Sequence, residues 1–297
     1  MAISQFKATT TDLLNSITSR GLVPTNQNTY TQAQILQLAD EELQIGLLPL
    51  VISTQEEYYA TYKDYPVFAT AYTLPERAVG GKLRALVLVD SAGNEQPIMR
   101  IEFEDIPYQF DMGYYFRGNE IVFTRAPTST VRMYYHTRPS HLILTSECGL
   151  VATVGATSVD LSSVPATFAT TATYDVVSST APCKVRALDI SVSSFVGVTA
   201  NFPALPVVAV GDYLCLSGQS PCIQLPYELI PILAQRVAVK VLEGIGDVDG
   251  MKRAQEKLHE MEPRAFRLLE PRVDSQPHKV LNRNSVIRSY GRNKTTY

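Results

Sequence analysis

The chain has 297 residues, of which 45% are hydrophobic and 19% are charged, and its formal net charge is −3. This apolar content excludes a wholly disordered chain, and the length fits one large domain or two smaller ones. The near balance of charge argues against a dedicated nucleic-acid binder, whose whole surface would be basic.

The charge is distributed unevenly along the chain. Residues 271–297 contain six basic residues and one acidic residue, Asp274, which gives this segment a net charge of +5. Residues 1–270 therefore carry a net charge of −8. The sequence predicts an acidic body with a basic tail.

We expect the chain to be made in the cytosol without a membrane segment. No apolar run approaches the ~18–20 residues that span a bilayer, and the N-terminal residues lack the apolar stretch of a secretory signal. The four cysteines, at positions 148, 183, 215 and 222, show no CxxC spacing. In a reducing compartment we interpret them as small apolar residues rather than as a disulfide framework.

Helices are predicted first, within residues 1–64. One helix ends before Gly21, and the next begins at a capping box formed by Thr31 and Gln34. Leucine and alanine then recur at steps of three and four residues, which indicates one buried face. Pro49 is expected to kink or split this helix, with its later part running to about residue 62.

Residues 65–222 form a predicted β region, divided into parts 65–145 and 146–222. Val, Thr, Tyr and Phe dominate, and turn residues such as Gly118 interrupt the chain at short intervals. Short strands at this spacing suit a small antiparallel barrel or sandwich. The predicted strands are 82–89, 99–103, 120–124, 131–136, 150–154, 158–161, 174–178, 187–191, 207–210 and 213–217.

Residues 223–270 are predicted to form a helical hairpin. Its first helix ends at Gly244 or Gly246, Asp247 or Asp249 caps the second helix, and Pro263 is a candidate break within it. The expected fold class is α+β, in which the N- and C-terminal helices form one bundle. Antiparallel β-barrel or sandwich modules are inserted between them, and residues 271–297 form an extended arm.

Candidate catalytic and metal-binding residues are few. His136 and His141 lack the spacing of a metal motif, and residues 218–222 match a nucleophile elbow only in part. Glu102 and Glu104, with Asp105 and Asp111 nearby, would share a strand face, as paired hydrolytic carboxylates do. The same alternation fits the solvent side of a half-buried strand, so we predict no catalytic site, no metal and no cofactor.

Tyrosines are concentrated in the first β part, where ten of the 16 lie between Tyr58 and Tyr135. In a strand, adjacent tyrosines point to opposite faces, so one ring of each pair faces outward if the other is buried. Outward rings favour a protein interface, against the alternatives of ordinary core and surface rings or of stacking on sugar. The candidate interface tyrosines are Tyr58, Tyr114, Tyr115 and Tyr134.

The basic tail mixes cations with apolar residues. It is either a solvated terminus or an arm that orders on an acidic partner, and its six cations are few for nucleic-acid binding. We take the arm as a second candidate interface. Its candidate residues are Arg272, Lys279, Arg283, Val286, Ile287, Arg288, Tyr290 and Arg292.

Several stretches resemble virion proteins of tailed bacteriophages. They are YTLPERAVGG at 72–81, GNEIVF at 118–123, the segment 220–238, PRVD at 271–274 and NRNSVIR at 282–288. The resemblance spans most of the chain and is greatest to the head-to-tail connector, or adaptor, proteins that dock beneath the portal.

This resemblance implies a structural, non-enzymatic protein at the head–tail junction of the virion, made in the host cytoplasm. It implies a ring of twelve copies around the DNA channel, with genomic DNA passing through without specific binding. The portal protein and tail nozzle, tube or fibre proteins are the implied partners, and no membrane is involved. The alternatives are another neck or tail component, or a carbohydrate-binding or depolymerising tail protein with tyrosine sugar platforms and Glu102 and Glu104 as acids.

Overall fold

A computed structural model of the chain describes residues 8–21, 29–66, 69–102, 106, 112–180 and 182–269. It shows a mixed α+β protein with helices near both ends of the described chain and several largely antiparallel sheets between them. The predicted arm, residues 271–297, lies outside the described residues together with all eight of its candidate interface residues. None of the described helices is both long enough and apolar enough to cross a membrane.

The helices follow the capping and stop signals of the sequence. The capping box of Thr31 and Gln34 is confirmed, and Gly246, at a φ of +84°, ends the helix before it. The side chain of Asp247 accepts a hydrogen bond from the Gly250 N–H and caps the last helix. The helices are α1 (Thr10–Gly21), α2 (Gln32–Glu41), a π-helical turn (Glu42–Leu47), α3 (Leu48–Thr54), α4 (Ile230–Ile245) and α5 (Val248–Leu268).

Neither of two prolines interrupts its helix. Pro49 lies in the first turn of α3. The helix is not split there, because the backbone stays helical from α2 through a π-helical turn into α3. The second part ends at Thr54 and not at residue 62, because residues 56–59 form a turn and a strand begins at Ala60. The break predicted at Pro263 is wrong, since α5 continues through the proline to Leu268.

Helix α4 is the centre of the helical part. It packs against α1, α2 and α5, so helices from both ends of the chain share one core. Arg236 and Lys240 lie on its less buried side. Arg236 pairs there with Glu262 of α5, at 2.6 Å, and both cations pair with Glu42 of the π-helical turn.

Seventeen strands are described, and most pair antiparallel. Sheet 1 has the order β1-β8-β3-β4, sheet 2 has the order β2-β7-β6-β5, and sheet 3 has the order β13-β12-β16-β10-β11-β15-β14. Strands β9 and β17 form a short parallel pair. The strands are β1 (Ala60–Tyr65), β2 (Ala71–Thr73), β3 (Ala78–Val89), β4 (Glu95–Pro97), β5 (Met99–Arg100), β6 (Gly113–Arg117), β7 (Glu120–Phe123), β8 (Thr130–Thr137), β9 (His141–Leu142), β10 (Gly149–Val154), β11 (Ser158–Leu161), β12 (Thr173–Val177), β13 (Val185–Ser191), β14 (Ser194–Val196), β15 (Thr199–Asn201), β16 (Tyr213–Leu216) and β17 (Gln219–Ser220).

The β region differs from the prediction in several respects, and strands such as β1 and β6 were not predicted. No sheet of the described residues closes into a barrel, and sheet 3 stays open with β13 and β14 as its last strands. Only Val192 and Ser193 separate β13 from β14 in the chain, but the two strands do not pair with each other. Strand β13 pairs with β12, and β14 pairs with β15. Residues 207–210 form a loop instead of the predicted strand, because Asp212 and Ala209 exchange hydrogen bonds that close a turn.

Candidate interaction surface

The outer face of sheet 1 carries a cluster of aromatic and charged side chains. Along β8, Val131, Met133 and Tyr135 are buried, so Arg132 and Tyr134 point outward between them. The antiparallel register places two β1 residues opposite them, Tyr62 opposite Tyr134 and Asp64 opposite Arg132. We call this cluster the aromatic face, which consists of Tyr62, Asp64, Glu95, Arg132 and Tyr134.

Arg132 organises the aromatic face. Its guanidinium binds both carboxylate oxygens of Asp64, at 2.7 and 2.9 Å, and Oε1 of Glu95 at 2.7 Å. It also lies 4.1 Å from the centre of the Tyr62 ring, in a cation–π contact. The Tyr134 hydroxyl donates a hydrogen bond of 2.7 Å to Glu95. This forked geometry fixes several side chains at once, which single surface ion pairs do not.

The charges of the aromatic face stabilise one another. The hydrogen bond from Tyr134, followed by that from Arg132, lowers the pKa of Glu95 below its ordinary value of 4.5. Hydrogen bonds to Asp64 and Glu95 raise the pKa of Arg132, so its charge is permanent. Tyr62 nevertheless remains 53% exposed. A ring that is held in place and still exposed adds contact area to an interface at little entropic cost.

Acidification should release Tyr134 from Glu95. Because the pKa of Glu95 is lowered in the folded protein, the interaction is complete above pH 4.5 and is lost as the pH falls through the lower folded value. NMR of the tyrosine rings, with Tyr134 assigned from a Tyr134→Phe variant, should show its titration below pH 4.5. Glu95→Gln should abolish this titration, and a midpoint at or above pH 4.5 would contradict the prediction.

The four candidate tyrosines of the sequence analysis lie in different places. Tyr134 belongs to the aromatic face, whereas Tyr114 is buried in the core between sheets 1 and 2. Tyr115 is half-buried on β6, and Tyr58 packs edge-on against Tyr59 with ring centres 4.9 Å apart. Tyr62 was not among the candidates. Tyr62 could have been found only from its position opposite Tyr134. That position depends on the register of β1, a strand that was not predicted.

A second cluster joins sheet 1 to sheet 3, and we call it the Arg77 junction. Arg77, in the turn between β2 and β3, binds Asp175 Oδ2 and Ser217 Oγ, both at 2.6 Å, and Asp189 Oδ1 at 3.2 Å. The Asp175 side chain is fully buried. Its carboxylate also accepts hydrogen bonds from the backbone N–H groups of Asp189, at 3.0 Å, and Gly218, at 2.9 Å. Every Asp175 oxygen is therefore satisfied.

An open cleft of about 770 Å³ lies beside the Arg77 junction. Tyr62, Tyr65, Tyr135, Arg138 and His141 contribute to its walls. His141 Nδ1 lies 2.6 Å from the Asp40 carboxylate, so the β9 edge of the cleft is tied to α2. The cleft thus lies where sheet 1, sheet 3 and the helical part meet.

The remaining candidate residues do not converge on a reactive centre. Within the part of the chain that the structure describes, no group of three or more His, Cys, Asp or Glu side chains is placed to hold a metal ion. Glu102 is exposed after β5, whereas Glu104, Asp105 and Asp111 lie outside the described residues. The Ser220 hydroxyl is buried and donates to the Cys222 carbonyl at 2.7 Å, so it is not presented as a nucleophile.

Comparison with known proteins gives no assignment to a family. No family model matches the sequence, and no curated protein matches it.

Proposed function

We propose that the chain is a structural protein of a tailed-bacteriophage virion, a head-to-tail connector that forms a ring beneath the portal and joins the capsid to the tail. The aromatic face carries this proposal. It combines the half-exposed ring of Tyr62 with a network that holds the ring in place, as expected of a surface that binds another protein. Tyr, Trp and Arg are the residue types that contribute most to such contacts.

The arrangement of the chain supports a connector. In the proposal, α1, α2, α4 and α5 form the bundle of one subunit, and the β region is inserted between its two halves. The two β parts then project from the bundle and are fixed to each other by the Arg77 junction. Val177, Tyr213 and Cys215 of sheet 3 belong to the same core as these helices, so the second β part is anchored to the bundle.

A ring of identical subunits needs two different faces on each subunit that fit each other. We assign the aromatic face to one lateral contact, with the neighbouring copy as its occupant. The arm, with a net charge of +5, reaches a neighbouring acidic body or the portal. The acidic body also suits a channel wall, because dense basic contacts would retain the phosphates of passing DNA.

A deletion variant and a point variant test this proposal. Deleting residues 271–297 should abolish docking to purified portal, measured by sedimentation. Tyr62→Ser should weaken ring formation, seen by negative-stain imaging and light scattering, by roughly 30-fold in affinity if Tyr62 is a central contact. Tyr227→Ser is the matched control, because Tyr227 is 50% exposed on the short helical turn before α4. Unchanged docking and ring formation in both variants would refute the proposal.

The cleft favours one other function, that of a carbohydrate-binding or depolymerising tail protein. The exposed Tyr62 and the half-buried Tyr65 line it, and aromatic rings are common sugar platforms. Under this alternative, the purified chain should bind or cleave host glycans. Glu102 does not line the cleft, so replacing Glu102 and Glu104 by Gln tests only the sequence-based assignment of these two acids. Under the connector proposal, the double variant should assemble normally and no glycan should be cleaved.

A further inference from the structure

All four cysteines of the chain lie in one core. Cys148, Cys183, Cys215 and Cys222 are buried and carry free thiols, although 74 residues separate the first from the last. Two contacts divide them into pairs. Cys148 and Cys215 have their sulfur atoms 3.2 Å apart, and the Cys183 and Cys222 side chains share a hydrogen bond.

The first pair is set by the pairing of two strands. Gly149 faces Leu214 in the antiparallel register of β10 and β16, so the next residues outward, Cys148 and Cys215, face each other. Facing residues in antiparallel strands have Cα atoms about 4.5–5.5 Å apart, within the span of about 4.4–6.8 Å that a disulfide bridges. Neither strand has to move far for the two sulfur atoms to bond.

We propose that Cys148 and Cys215 form an oxidation site, at which a two-electron oxidant links β10 to β16 through a disulfide. The two thiols lose two protons and two electrons, and one S–S bond replaces two S–H bonds. A small disulfide such as oxidised glutathione, or a diazene such as diamide, accepts the electrons and protons and is reduced to thiols or to a hydrazine. The inference does not rest on the proposed connector function.

Burial controls the rate of this reaction. The thiolate is the attacking species, and burial, followed by the hydrogen bond with Cys148, raises the pKa of Cys215. Few thiolates are present at neutral pH, so the reaction should accelerate as the pH rises. The product should resist large reductants, because Cys148 is 3% exposed and Cys215 is fully buried.

The disulfide would restrain most of sheet 3. The two cysteines are 67 residues apart, and the loop between them contains β10 to β15. Closing a loop of this length lowers the conformational entropy of the unfolded chain. The oxidised protein should therefore melt at a temperature at least about 5 °C higher than the reduced protein. Addition of a reductant to the unfolded protein should reverse the shift.

The test uses the full chain and a Cys183→Ser/Cys222→Ser variant, in which Cys148 and Cys215 are the remaining thiols. Each protein is treated with diamide when folded, and is separately refolded in a glutathione redox buffer. We expect the variant to lose both thiols in a denaturing thiol assay, and peptide mapping of the wild type to recover a Cys148–Cys215 link. Cys215→Ser is the control and should lose both this link and the gain in melting temperature.

Two results would overturn the proposal. One is that Cys148 and Cys215 stay reduced in the wild type under both treatments. The other is that each of them is found bonded only to Cys183, to Cys222 or to a second molecule. If the double variant fails to fold, the wild-type peptide map alone still decides between these results and the expected link.

Discussion

Replacing Arg77 by Ala is expected to lower the free energy of unfolding by about 3–5 kcal/mol. The reason is the fully buried Asp175 carboxylate, which Arg77 neutralises at a distance of 2.6 Å. Without Arg77 the carboxylate keeps two backbone hydrogen bonds but no opposite charge, and a buried unpaired charge is far less stable than an ion pair. The measurement is urea denaturation followed by circular dichroism.

An exposed ion pair of the same type is the control for Arg77. Arg84 pairs with Glu57 at 2.6 Å, but Glu57 is 77% exposed, so Arg84→Ala should cost about 1 kcal/mol or less. The loss of unfolding free energy for Arg77→Lys should lie between those for Arg77→Ala and Arg84→Ala. Lysine keeps the charge but cannot bind Asp175 and Ser217 with one planar guanidinium. Equal losses for Arg77→Ala and Arg84→Ala would contradict the assigned role of Arg77.

The Arg77 junction could not be predicted from the sequence. Arg77 is 98 residues from Asp175 and 140 residues from Ser217, and no local pattern relates these positions. Nothing in the turn that holds Arg77 distinguishes it from the many exposed arginines of globular proteins. Its partner is buried only because sheet 3 packs beside sheet 1, which is a property of the tertiary structure.

The helices were predictable because their signals are local. A capping box, a glycine stop and a stripe at steps of three and four each lie within a few residues, and α2 and α4 follow them closely. The errors occurred where tertiary contacts override the local signal. Pro263 stays inside α5 because the helix is held on either side of it, by the ion pair of Glu262 with Arg236 before it and by the buried Ala265 after it.

The strands and the candidate surface were predictable only in part. The β-forming residues of 131–136 identified β8, and the adjacent pair Tyr134 and Tyr135 made Tyr134 a candidate for an outward ring; the buried–exposed alternation of β8 in the structure places Tyr134 outward. Strand β1, with the sequence ATYKDY, contains no aliphatic residue larger than alanine and thus lacks that signal, so Tyr62 was missed. The link between Arg132 and Glu95 depends on β4 and β8 lying on either side of β3, and only the sheet order reveals this.

The second large effect is expected at Tyr174, which lies on β12 in the hydrophobic core of sheet 3. Its ring is fully buried and lies edge-on to Phe168 and Phe195, with ring centres 4.9 and 5.8 Å away. Phe195 belongs to β14 and Tyr174 to β12, so the rings hold together parts of the open sheet that no backbone pairing joins. Tyr174→Ala should lower the free energy of unfolding by about 3–5 kcal/mol through the cavity that it leaves.

Replacing Tyr174 by Phe removes only the hydroxyl, so the loss of stability measures its hydrogen bonds separately from the packing of the ring. The hydroxyl donates to the Ala169 carbonyl and accepts from the Ala169 N–H, both at 2.7 Å, which fixes the loop before β12. Tyr174→Phe keeps the rings in contact but leaves Ala169 without this partner, so it should cost about 1–3 kcal/mol. Tyr62→Phe, on the exposed aromatic face, is the control and should cost less than about 0.5 kcal/mol. If Tyr174→Ala is no more destabilising than Tyr174→Phe in urea denaturation, the aromatic contacts do not hold the sheet together, and the backbone turn at residues 192–193 must do so.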